Sequence, residues 1–195
     1  MKKVLCTIIV LASILITAFC FAQTTKEQTG SKPAFEIRKV NEQIVLYTIY
    51  RGPYKQSGQA IGKLFALAGQ KGIIPRGPVQ YAYLNNSQYI SKEHYLIEIR
   101  IPVDKDALKS AGTLGEMTDV KVLPAIEVVV AKKPKGIADS DSIYNNMSKW
   151  IYENKYTGVD TPVEIFLSGA ESGDYSQMEA EIMMPVKKIS SEKNN

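Results

Sequence analysis

The sequence predicts an α+β fold made of a tandem pair of β-α-β-β modules, related by pseudo-twofold symmetry and arranged around a ligand cleft. Three observations lead to this prediction: short segments that recur in both halves of the chain, an amphipathic helical stripe ahead of each recurrence, and a β-rich run ahead of each stripe. Because each module has one helix to cover one sheet face, two modules can join their strands and leave the opposite face for another purpose.

The recurring segments occur in the same order in the two halves. Pro78-Val79-Gln80 precedes a run that reads Glu-Ile-Arg-Ile-Pro-Val from Glu98, and Pro162-Val163-Glu164 precedes a run that reads Glu-Ile-Met-Met-Pro-Val from Glu181. Pro78 and Glu98 lie 20 positions apart, whereas Pro162 and Glu181 lie 19 positions apart. The near-equal spacing indicates a duplication, with repeat one over residues 34–103 and repeat two over residues 121–188.

Each repeat has a strand pattern followed by apolar residues at helical spacing. The first has the run from Ile44 to Tyr50 and then Ile61, Leu64, Phe65 and Ala68; the second has the run from Ile126 to Val130 and then Ile143, Met147, Trp150 and Ile151. Helix-breaking residues separate the strand from the helix in both cases: Gly52-Pro53 in the first repeat and Gly136 in the second. The predicted order in each half is therefore strand, helix, strand, strand.

Two glycines, Gly58 and Gly62, fall within the first predicted helix. Glycine in a helix interior costs about 1 kcal/mol relative to alanine. One interpretation is that the glycines allow close packing of the helix, and the other is that they let the helix loosen when a ligand enters.

The N-terminus has the pattern of a signal peptide over residues 1–22. Lys2 and Lys3 precede an apolar run that ends at Phe21, and Cys20 and Ala22 stand three residues and one residue before the expected cleavage site. The bulky Phe19 before Cys20 argues against a lipoprotein. We expect a periplasmic or secreted protein, with a flexible lead-in over residues 23–33, one domain over residues 34–189 and a disordered tail over residues 190–195.

Composition excludes several classes of protein. The predicted leader contains two of the 24 basic residues and no acidic residue, which leaves 22 basic against 20 acidic residues in the mature chain. The mature chain is therefore nearly neutral, and its sequence shows no cluster of basic residues of the kind that forms a nucleic-acid-binding face. Both cysteines lie in the leader, so we expect no disulfide and no thiol chemistry after cleavage. No metal cluster or catalytic nucleophile is predicted, and no cofactor is expected.

Strand alternation suggests which side chains face a pocket. In the strand from Val163, the pattern places Glu164 and Phe166 away from the helix-covered core, because Val163, Ile165 and Leu167 suit that core. In the last strand, Ile182 and Met184 suit the core and Glu181 and Met183 face the other side. We therefore expect four side chains to converge: Glu164, Phe166, Glu181 and Met183. In the first half, Gln80 is the expected equivalent of Glu164. Arg100 could neutralise Glu98 on the same strand.

Aromatic residues are the second part of the expected site. Tyr54 follows the break after the first strand, and tyrosines are frequent in the first half, whereas Tyr81 and Tyr83 have the core-facing parity. Trp150 lies on the apolar helix stripe and could pack in the core or contribute its indole to the cleft. An acid within an aromatic-lined cleft attracts cationic, flat or amphipathic organic molecules.

Over almost the whole mature chain, from Phe35 to Lys188, the sequence resembles the GyrI-like effector-binding domains, also called the AraC-type or bacterial transcription activator effector-binding domains. The segments that support the resemblance are Gly52-Pro53-Tyr54, Pro75-Arg76-Gly77-Pro78, the run from Glu98 to Val103, the run from Trp150 to Asn154, the run from Pro162 to Leu167 and the run from Glu181 to Val186. The resemblance implies two SHS2-like modules around a cleft, recognition by aromatic side chains and a central glutamate, Glu164, that meets cationic or amphipathic compounds. Members often carry a helix-turn-helix domain, which we do not expect here, and Ile137 stands where a second tyrosine equivalent to Tyr54 would be.

Four functions remain open from the sequence. The first is a stand-alone extracytoplasmic domain that binds a small organic ligand, with Glu164 as the charge anchor and Phe166, Tyr54 and Trp150 as walls. The second is a hydrolase of strained electrophilic molecules, in which a buried glutamate activates water and a tyrosine polarises the leaving group. The third is haem binding, for which His94 is the one histidine of the chain. The fourth is a structural or partner-binding protein of the envelope.

Overall fold

The computed structural model describes residues 35–85, 89–137, 140–168 and 174–190. The predicted signal peptide, the lead-in and residues 191–195 of the predicted tail lie outside the described residues. The described residues belong to one compact unit that spans Pro33–Asn195. Neither of its two described α-helices is long and apolar enough to cross a membrane.

The described elements are nine strands and two α-helices. In chain order they are β1 (Glu36–Val40), β2 (Gln43–Arg51), α1 (Gly58–Gln70), β3 (Gln80–Tyr83), β4 (Leu96–Pro102), β5 (Thr118–Leu123), β6 (Ile126–Lys133), α2 (Asp141–Glu153), β7 (Tyr156–Gly158), β8 (Val163–Ser168) and β9 (Glu179–Lys188). Short 3-10 helices at Tyr54–Gln56, Lys92–His94, Lys105–Ser110 and Tyr175–Gln177 complete the connections. The predicted α+β class and the order strand, helix, strand, strand are confirmed in both halves, as β2-α1-β3-β4 and β6-α2-β8-β9.

The strands form one antiparallel sheet in the order β1-β6-β9-β8-β3-β4-β2-β5, with β7 paired to β9. The sequence did not predict β1 and β5, and these two strands are exchanged between the halves: β1 pairs with β6 of the second module, and β5 pairs with β2 of the first. Each exchanged strand brings a cation to a glutamate of the other module, because Arg38 binds Glu181 and Lys121 binds Glu98.

The sheet curls strongly, as its connections require. β1 stands at one end of the strand order and β2 next to the other end, yet only residues 41 and 42 join them. Residues 124 and 125 join β5 to β6 in the same way. A link of two residues spans at most about 10 Å, so the two ends of the sheet lie close together in a half-barrel.

The two modules share one offset along the chain. From position 58, where α1 begins, to position 141, where α2 begins, the offset is 83 residues, and it is the same from Leu96 of β4 to Glu179 of β9. The expected equivalence of Gln80 and Glu164 is wrong, because these residues are 84 positions apart. The residue equivalent to Glu164 is Tyr81, and Tyr81 also lies directly opposite Glu164 in the pairing of β3 with β8. The pseudo-twofold axis therefore passes between Tyr81 and Glu164.

Two helix-covered cores pack on one face of the sheet. Leu64 and Ala68 of α1 pack in the core of the first module, and Met147 and Ile151 of α2 pack in the core of the second. A third, smaller cluster around Val128 occupies the opposite face, inside the curl of the sheet. Both faces of the central strands are therefore largely enclosed.

Candidate functional site

The centre of the candidate site is the carboxylate of Glu164, whose residue is only 1% exposed. Its neighbours across the strands are Tyr81 on β3 and Ile182 on β9. Since directly opposed residues project to the same face, Glu164 and Phe166 lie on the helix-covered face. The prediction that they point away from that face is wrong, and Val163 and Ile165 face the interior of the half-barrel instead.

Four hydroxyl groups surround the Glu164 carboxylate. Tyr83 donates to Oε2 at 3.0 Å, while Tyr144 at 3.1 Å, Tyr175 at 2.7 Å and Ser140 at 3.3 Å donate to Oε1. The hydroxyls of Ser140 and Tyr175 also lie within hydrogen-bonding distance of each other, so this pair divides its two hydrogens between Oε1 and the contact within the pair. Glu164 is thus held by a cage of hydroxyl donors.

The N-terminal ends of both helices meet at this cage. Ser57 precedes α1 and Ser140 precedes α2, and the two serines are separated by the same offset as the modules. The Oγ atom of Ser57 lies 2.6 Å from the Tyr81 hydroxyl, just as Ser140 donates to Glu164. The pseudo-twofold axis therefore relates a serine–tyrosine pair to a serine–glutamate pair.

Aromatic rings form a layer beside the cage. Tyr54 makes edge-to-face contacts with Tyr81, Phe166 and Tyr175 at centroid distances of 5.5, 6.4 and 5.1 Å. Tyr81 and Phe166 are in edge-to-face contact at 4.8 Å. Tyr54 and Phe166 therefore lie in one aromatic layer of the first core, and their role as walls of a ligand site stays a prediction.

Burial raises the pKa of Glu164 above its ordinary value, and the four hydroxyl donors partly oppose that rise because they stabilise the carboxylate. Burial also raises the pKa of Tyr83 and Tyr144 well above that of a free phenol, and the negative charge of Glu164 adds to the rise. The phenols consequently remain protonated near neutral pH and act as donors to the glutamate.

A buried cation lies at the edge of the same region. Lys133 on β6 is fully buried, and its Nζ donates at 2.7 Å to the carbonyl oxygens of both Tyr175 and Met178. Nζ also lies 4.2 Å from the centroid of the Tyr175 ring. Lys133 thereby fixes the short 3-10 helix that positions the Tyr175 hydroxyl on Glu164.

The site is nearly closed in this structure. The cleft beside it has a volume of about 20 Å³, and the residues that bound it are Tyr54, Lys55, Ser57, Gly58, Ile61, Tyr81, Phe166 and Met178. This volume holds about one water molecule. Binding of an organic ligand at Glu164 therefore requires the start of α1 and the aromatic layer to move.

Three residues expected at the site lie elsewhere. Glu181 and Met183 of β9 face the half-barrel interior, where Glu181 pairs with Arg38 and Met183 packs with Val128. Their expected convergence with Glu164 is wrong because the parity assigned to β8 is wrong. Trp150 of α2 packs in the second module, stacked on Tyr156 at a centroid distance of 6.4 Å and tilted against Phe35 at 6.1 Å.

The sequence missed Tyr144, Tyr175, Ser140 and Lys133. The repeat itself carries a signal for Ser140, since it takes the place of Ser57 at the start of the second helix. The other three replace residues of different chemistry: Tyr144 stands where the first module has Ile61, Tyr175 where it has Lys92 and Lys133 where it has Tyr50. Only the three-dimensional structure brings them together.

The described residues contain no group of three or more His, Cys, Asp or Glu side chains placed to hold a metal ion. His94 lies in the 3-10 helix Lys92–His94, where Nδ1 is 2.9 Å from the hydroxyl of Ser91.

Together, the fold and the site define a duplicated α+β domain that encloses a carboxylate within aromatic and hydroxyl groups. The model of the GyrI-like small molecule binding domain family matches residues 33–187, so the chain belongs to this family. The resemblance noted from the sequence is confirmed. The comparison with curated protein sequences gave no significant match.

Solved structures agree with the fold. The C-terminal domain of EcmrR has 16% sequence identity and a TM-score of 0.61, with 80% of this chain and 99% of that domain covered. EcmrR in a complex with DNA has 18% identity and a TM-score of 0.63, with 96% and 69% covered. A hydrolase from Listeria innocua has 13% identity and a TM-score of 0.60, with 80% and 93% covered. At these sequence identities, the similarity shows a shared fold and nothing about function.

Proposed function

We propose that this chain is an extracytoplasmic binding domain for cationic or amphipathic organic compounds, with Glu164 as the charge anchor. The observation that carries the proposal is a glutamate that is 1% exposed, sits beside a layer of aromatic rings and, within the part of the chain that the structure describes, receives hydrogen bonds only from neutral hydroxyl groups. A buried carboxylate without a cation at hydrogen-bonding distance loses hydration that the donors replace only in part. A ligand cation would add a positive charge in contact with the carboxylate, which Lys133 at the edge of the site does not contact.

The aromatic layer suits the remainder of such a ligand. Tyr54, Tyr81 and Phe166 pack edge-to-face on one another beside the hydroxyl cage. Rings attract a cation through their quadrupole and bury apolar surface at the same time. The proposed ligand is therefore flat or aromatic and carries a delocalised positive charge.

The closed cleft sets a condition on binding. Only about 20 Å³ is open beside Tyr54 and Ser57, so the bound state must differ from this one at the start of α1. A Cβ atom at Gly58 or Gly62 would meet nothing within 4 Å, so the interpretation that these glycines serve close packing is wrong. Their remaining effect is to lower the helix propensity of α1, and this supports such a movement.

The test is a binding titration with rhodamine 6G as the cationic dye and fluorescein as an anionic dye of similar shape. Rhodamine 6G is expected to bind, and Glu164→Gln is expected to weaken its binding by about ten-fold or more, the loss of one charge-assisted contact. Glu181→Gln is the matched control, because it removes a glutamate on the opposite face. Equal affinity of Glu164→Gln and the wild type would refute the role of Glu164. Absence of binding by any of several cationic dyes would refute the preference for cations.

A hydrolase is the second candidate, since a glutamate with a raised pKa beside tyrosine hydroxyls is a combination that general acid–base catalysis uses. The hydrogen bonds favour binding over this chemistry, because three donors already engage Oε1 and one engages Oε2. Turnover of an electrophilic substrate that disappears in Glu164→Gln would favour the hydrolase. Turnover that persists in this variant would exclude the mechanism.

The extracytoplasmic location rests on the basic start, the apolar run and the small residues that precede Gln23. Export would separate the domain from cytoplasmic DNA, so the proposed function is ligand binding without a DNA-binding module. Mass spectrometry of the protein recovered from the periplasm or medium is expected to find Gln23 as the first residue. Recovery of the protein only from the cytoplasm, with residues 1–22 intact, would overturn the location.

A further inference from the structure

A second cavity, separate from the Glu164 site, lies on the opposite face of the sheet inside the half-barrel. Its volume is about 90 Å³. Its floor is formed by the central strands β3 and β8, and its far side by the two short links that join β1 to β2 and β5 to β6. The pseudo-twofold axis that runs between Tyr81 and Glu164 passes through both sites.

The duplication gives this cavity two chemically different walls. Five pairs of residues that line it are related by the offset of 83 positions. In four of them the residue of the first repeat is polar and its equivalent is apolar: Asn41 and Pro124, Gln43 and Ile126, Gln80 and Val163, Arg100 and Met183. In the fifth pair, Val40 and Leu123, both residues are apolar. One wall is thus cationic and hydrogen-bonding, and the wall related to it by pseudosymmetry is hydrocarbon.

The polar wall consists of largely buried side chains that are held by hydrogen bonds. Gln80 is 5% exposed, and its Nε2 donates at 3.2 Å to Oε1 of Gln43. The side chain of Arg100 is 12% exposed, and its Nε donates at 2.5 Å to Glu98. Among the described residues, the Nη groups of Arg100 have no hydrogen-bond partner, and Nε2 of Gln80 uses one of its two hydrogens on Gln43. These N–H groups are the donors that an anion in the cavity can use, whereas Oε1 of Gln80 is an acceptor.

Beside the polar wall, two cations share one carboxylate. Glu98 is shared by two cations, Arg100 and Lys121, whose Nζ lies 2.7 Å from it. The other charged residue that lines the cavity is Asp160, which is exposed at the start of β8 and accepts a hydrogen bond from the backbone of Thr161. The Nη groups of Arg100 are accessible from the cavity, so an anion that enters it can accept charge-assisted hydrogen bonds from them.

We propose that this cavity binds a small aliphatic carboxylate, with its carboxylate group on Arg100 and Gln80 and its hydrocarbon chain against Val163, Ile126 and Met183. The size follows from the volume, since an apolar cavity of about 150 Å³ admits benzene and a volume of about 90 Å³ admits a chain of about four carbons. This site selects the charge opposite to that proposed for Glu164, and it does not depend on that proposal.

The probes are butyrate, butanol and butylamine, which share a chain and differ in the head group. Titration calorimetry and the shift of methyl NMR signals of Val163 and Ile126 are expected to show butyrate binding at least about ten-fold tighter than butanol, with no binding of butylamine. Methyl signals that respond to none of the three would mean that the cavity holds water only, and this would overturn the proposal. Butanol that binds as tightly as butyrate would also overturn it.

The variants use the duplication as their guide. Arg100→Met installs the residue that the second module has at the equivalent position, and it leaves Glu98 with Lys121 as a partner; it is expected to weaken butyrate binding at least about ten-fold. Arg38→Met is the matched control, because it removes an arginine that pairs with a glutamate of β9 and does not line the cavity. If Arg100→Met does not fold, Gln80→Val supplies the same test from the neighbouring strand. Unchanged butyrate affinity in a folded Arg100→Met or Gln80→Val would refute the site.

Discussion

Tyr81 lies directly opposite Glu164 across the central pair of strands, and both project to the helix-covered face. The same two residues are equivalent by the offset between the modules, so one phenol and one carboxylate occupy related positions beside the pseudo-twofold axis. The site is therefore symmetric in backbone and asymmetric in charge. Ser57 pairs with the phenol and Ser140 with the carboxylate, so one buried carboxylate rather than two lies beside the axis.

The raised pKa of Glu164 predicts a specific pH dependence of stability. Because the folded state holds the proton more tightly than the unfolded state, protonated Glu164 is favoured by folding. This favourable contribution is fully present below the ordinary glutamate pKa and is lost as pH rises through the raised pKa of the folded state. Each unit of pKa difference corresponds to about 1.4 kcal/mol of unfolding free energy.

Urea unfolding of the wild type and Glu164→Gln over a series of pH values measures this effect. The difference in free energy of unfolding, wild type minus variant, is expected to fall as pH rises through that window and to level off above it. Glu181→Gln, whose glutamate is paired with Arg38, is the control. A difference that rises with pH through the window would show that the pKa is lowered by folding, contrary to this prediction.

Ligand binding is expected to have the opposite pH dependence. A cationic dye prefers the ionised carboxylate, and protonation of Glu164 competes with it, so dye affinity should increase as pH rises through the raised pKa and then remain constant. Fluorescence titration with rhodamine 6G at several pH values checks this. Glu164→Gln should give an affinity without this step, and a wild-type affinity that is independent of pH would contradict the proposed contact.

Gly62→Ala is expected to stabilise the free domain by about 1 kcal/mol and to weaken dye binding. The new methyl group meets nothing within 4 Å, and alanine lowers the free energy of the helical state, which opposes the loosening of α1 that the closed cleft requires. Thermal unfolding and dye titration measure the two effects. Gly69→Ala is the control, since it also meets nothing within 4 Å but lies near the other end of α1.

Hydrogen exchange tests directly whether α1 loosens when a ligand enters. The amides at the start of α1 should exchange faster in the free protein than those of β4, and addition of the dye should change their exchange rate. Exchange at the start of α1 that is as slow as in the core strands, with and without dye, would eliminate a movement of this helix.

The fold could be predicted because its strongest signals are local and repeated. The segments from Glu98 and from Glu181 recur with correct alternation, and Ile182 and Met184 do pack under α2 as expected. The pairing of Arg100 with Glu98 also follows from two residues on the same strand. Short strands such as β1 and β5 were missed because their partners belong to the other module, and no local pattern encodes an exchange of that kind.

The site was harder to predict because β8 is enclosed on both faces. Val163 and Ile165 face one enclosed space and Glu164 and Phe166 face another, so alternation between apolar and polar residues no longer distinguishes the core from a pocket. The one-residue error in matching Gln80 to Glu164 has the same origin: Pro-Val-Gln and Pro-Val-Glu look alike, whereas the sheet register relates Glu164 to Tyr81. A register shift of one residue assigns every side chain of the strand to the opposite face of the sheet.

Lys133→Met is expected to lower the free energy of unfolding by about 1–3 kcal/mol, because two carbonyl oxygens, those of Tyr175 and Met178, lose a charged donor in a buried environment. Chemical denaturation measures the loss. Lys132→Met is the matched control on the same strand, where the side chain is exposed. Equal stabilities of the two variants would show that Lys133 does not fix the segment that contains Tyr175.

Removal of single tyrosine hydroxyls should rank the donors to Glu164. Tyr83 is the one donor among the described residues to Oε2, whereas Oε1 receives hydrogen bonds from Tyr144, Tyr175 and Ser140. Tyr83→Phe leaves Oε2 without a described donor and should raise the pKa of Glu164 more than Tyr144→Phe does, since the remaining donors still serve Oε1. NMR titration of the Glu164 side-chain carboxyl carbon in the two variants measures both pKa values. If Tyr144→Phe raises the pKa of Glu164 as much as Tyr83→Phe, the carboxylate responds to the number of donors and not to their distribution between its two oxygens.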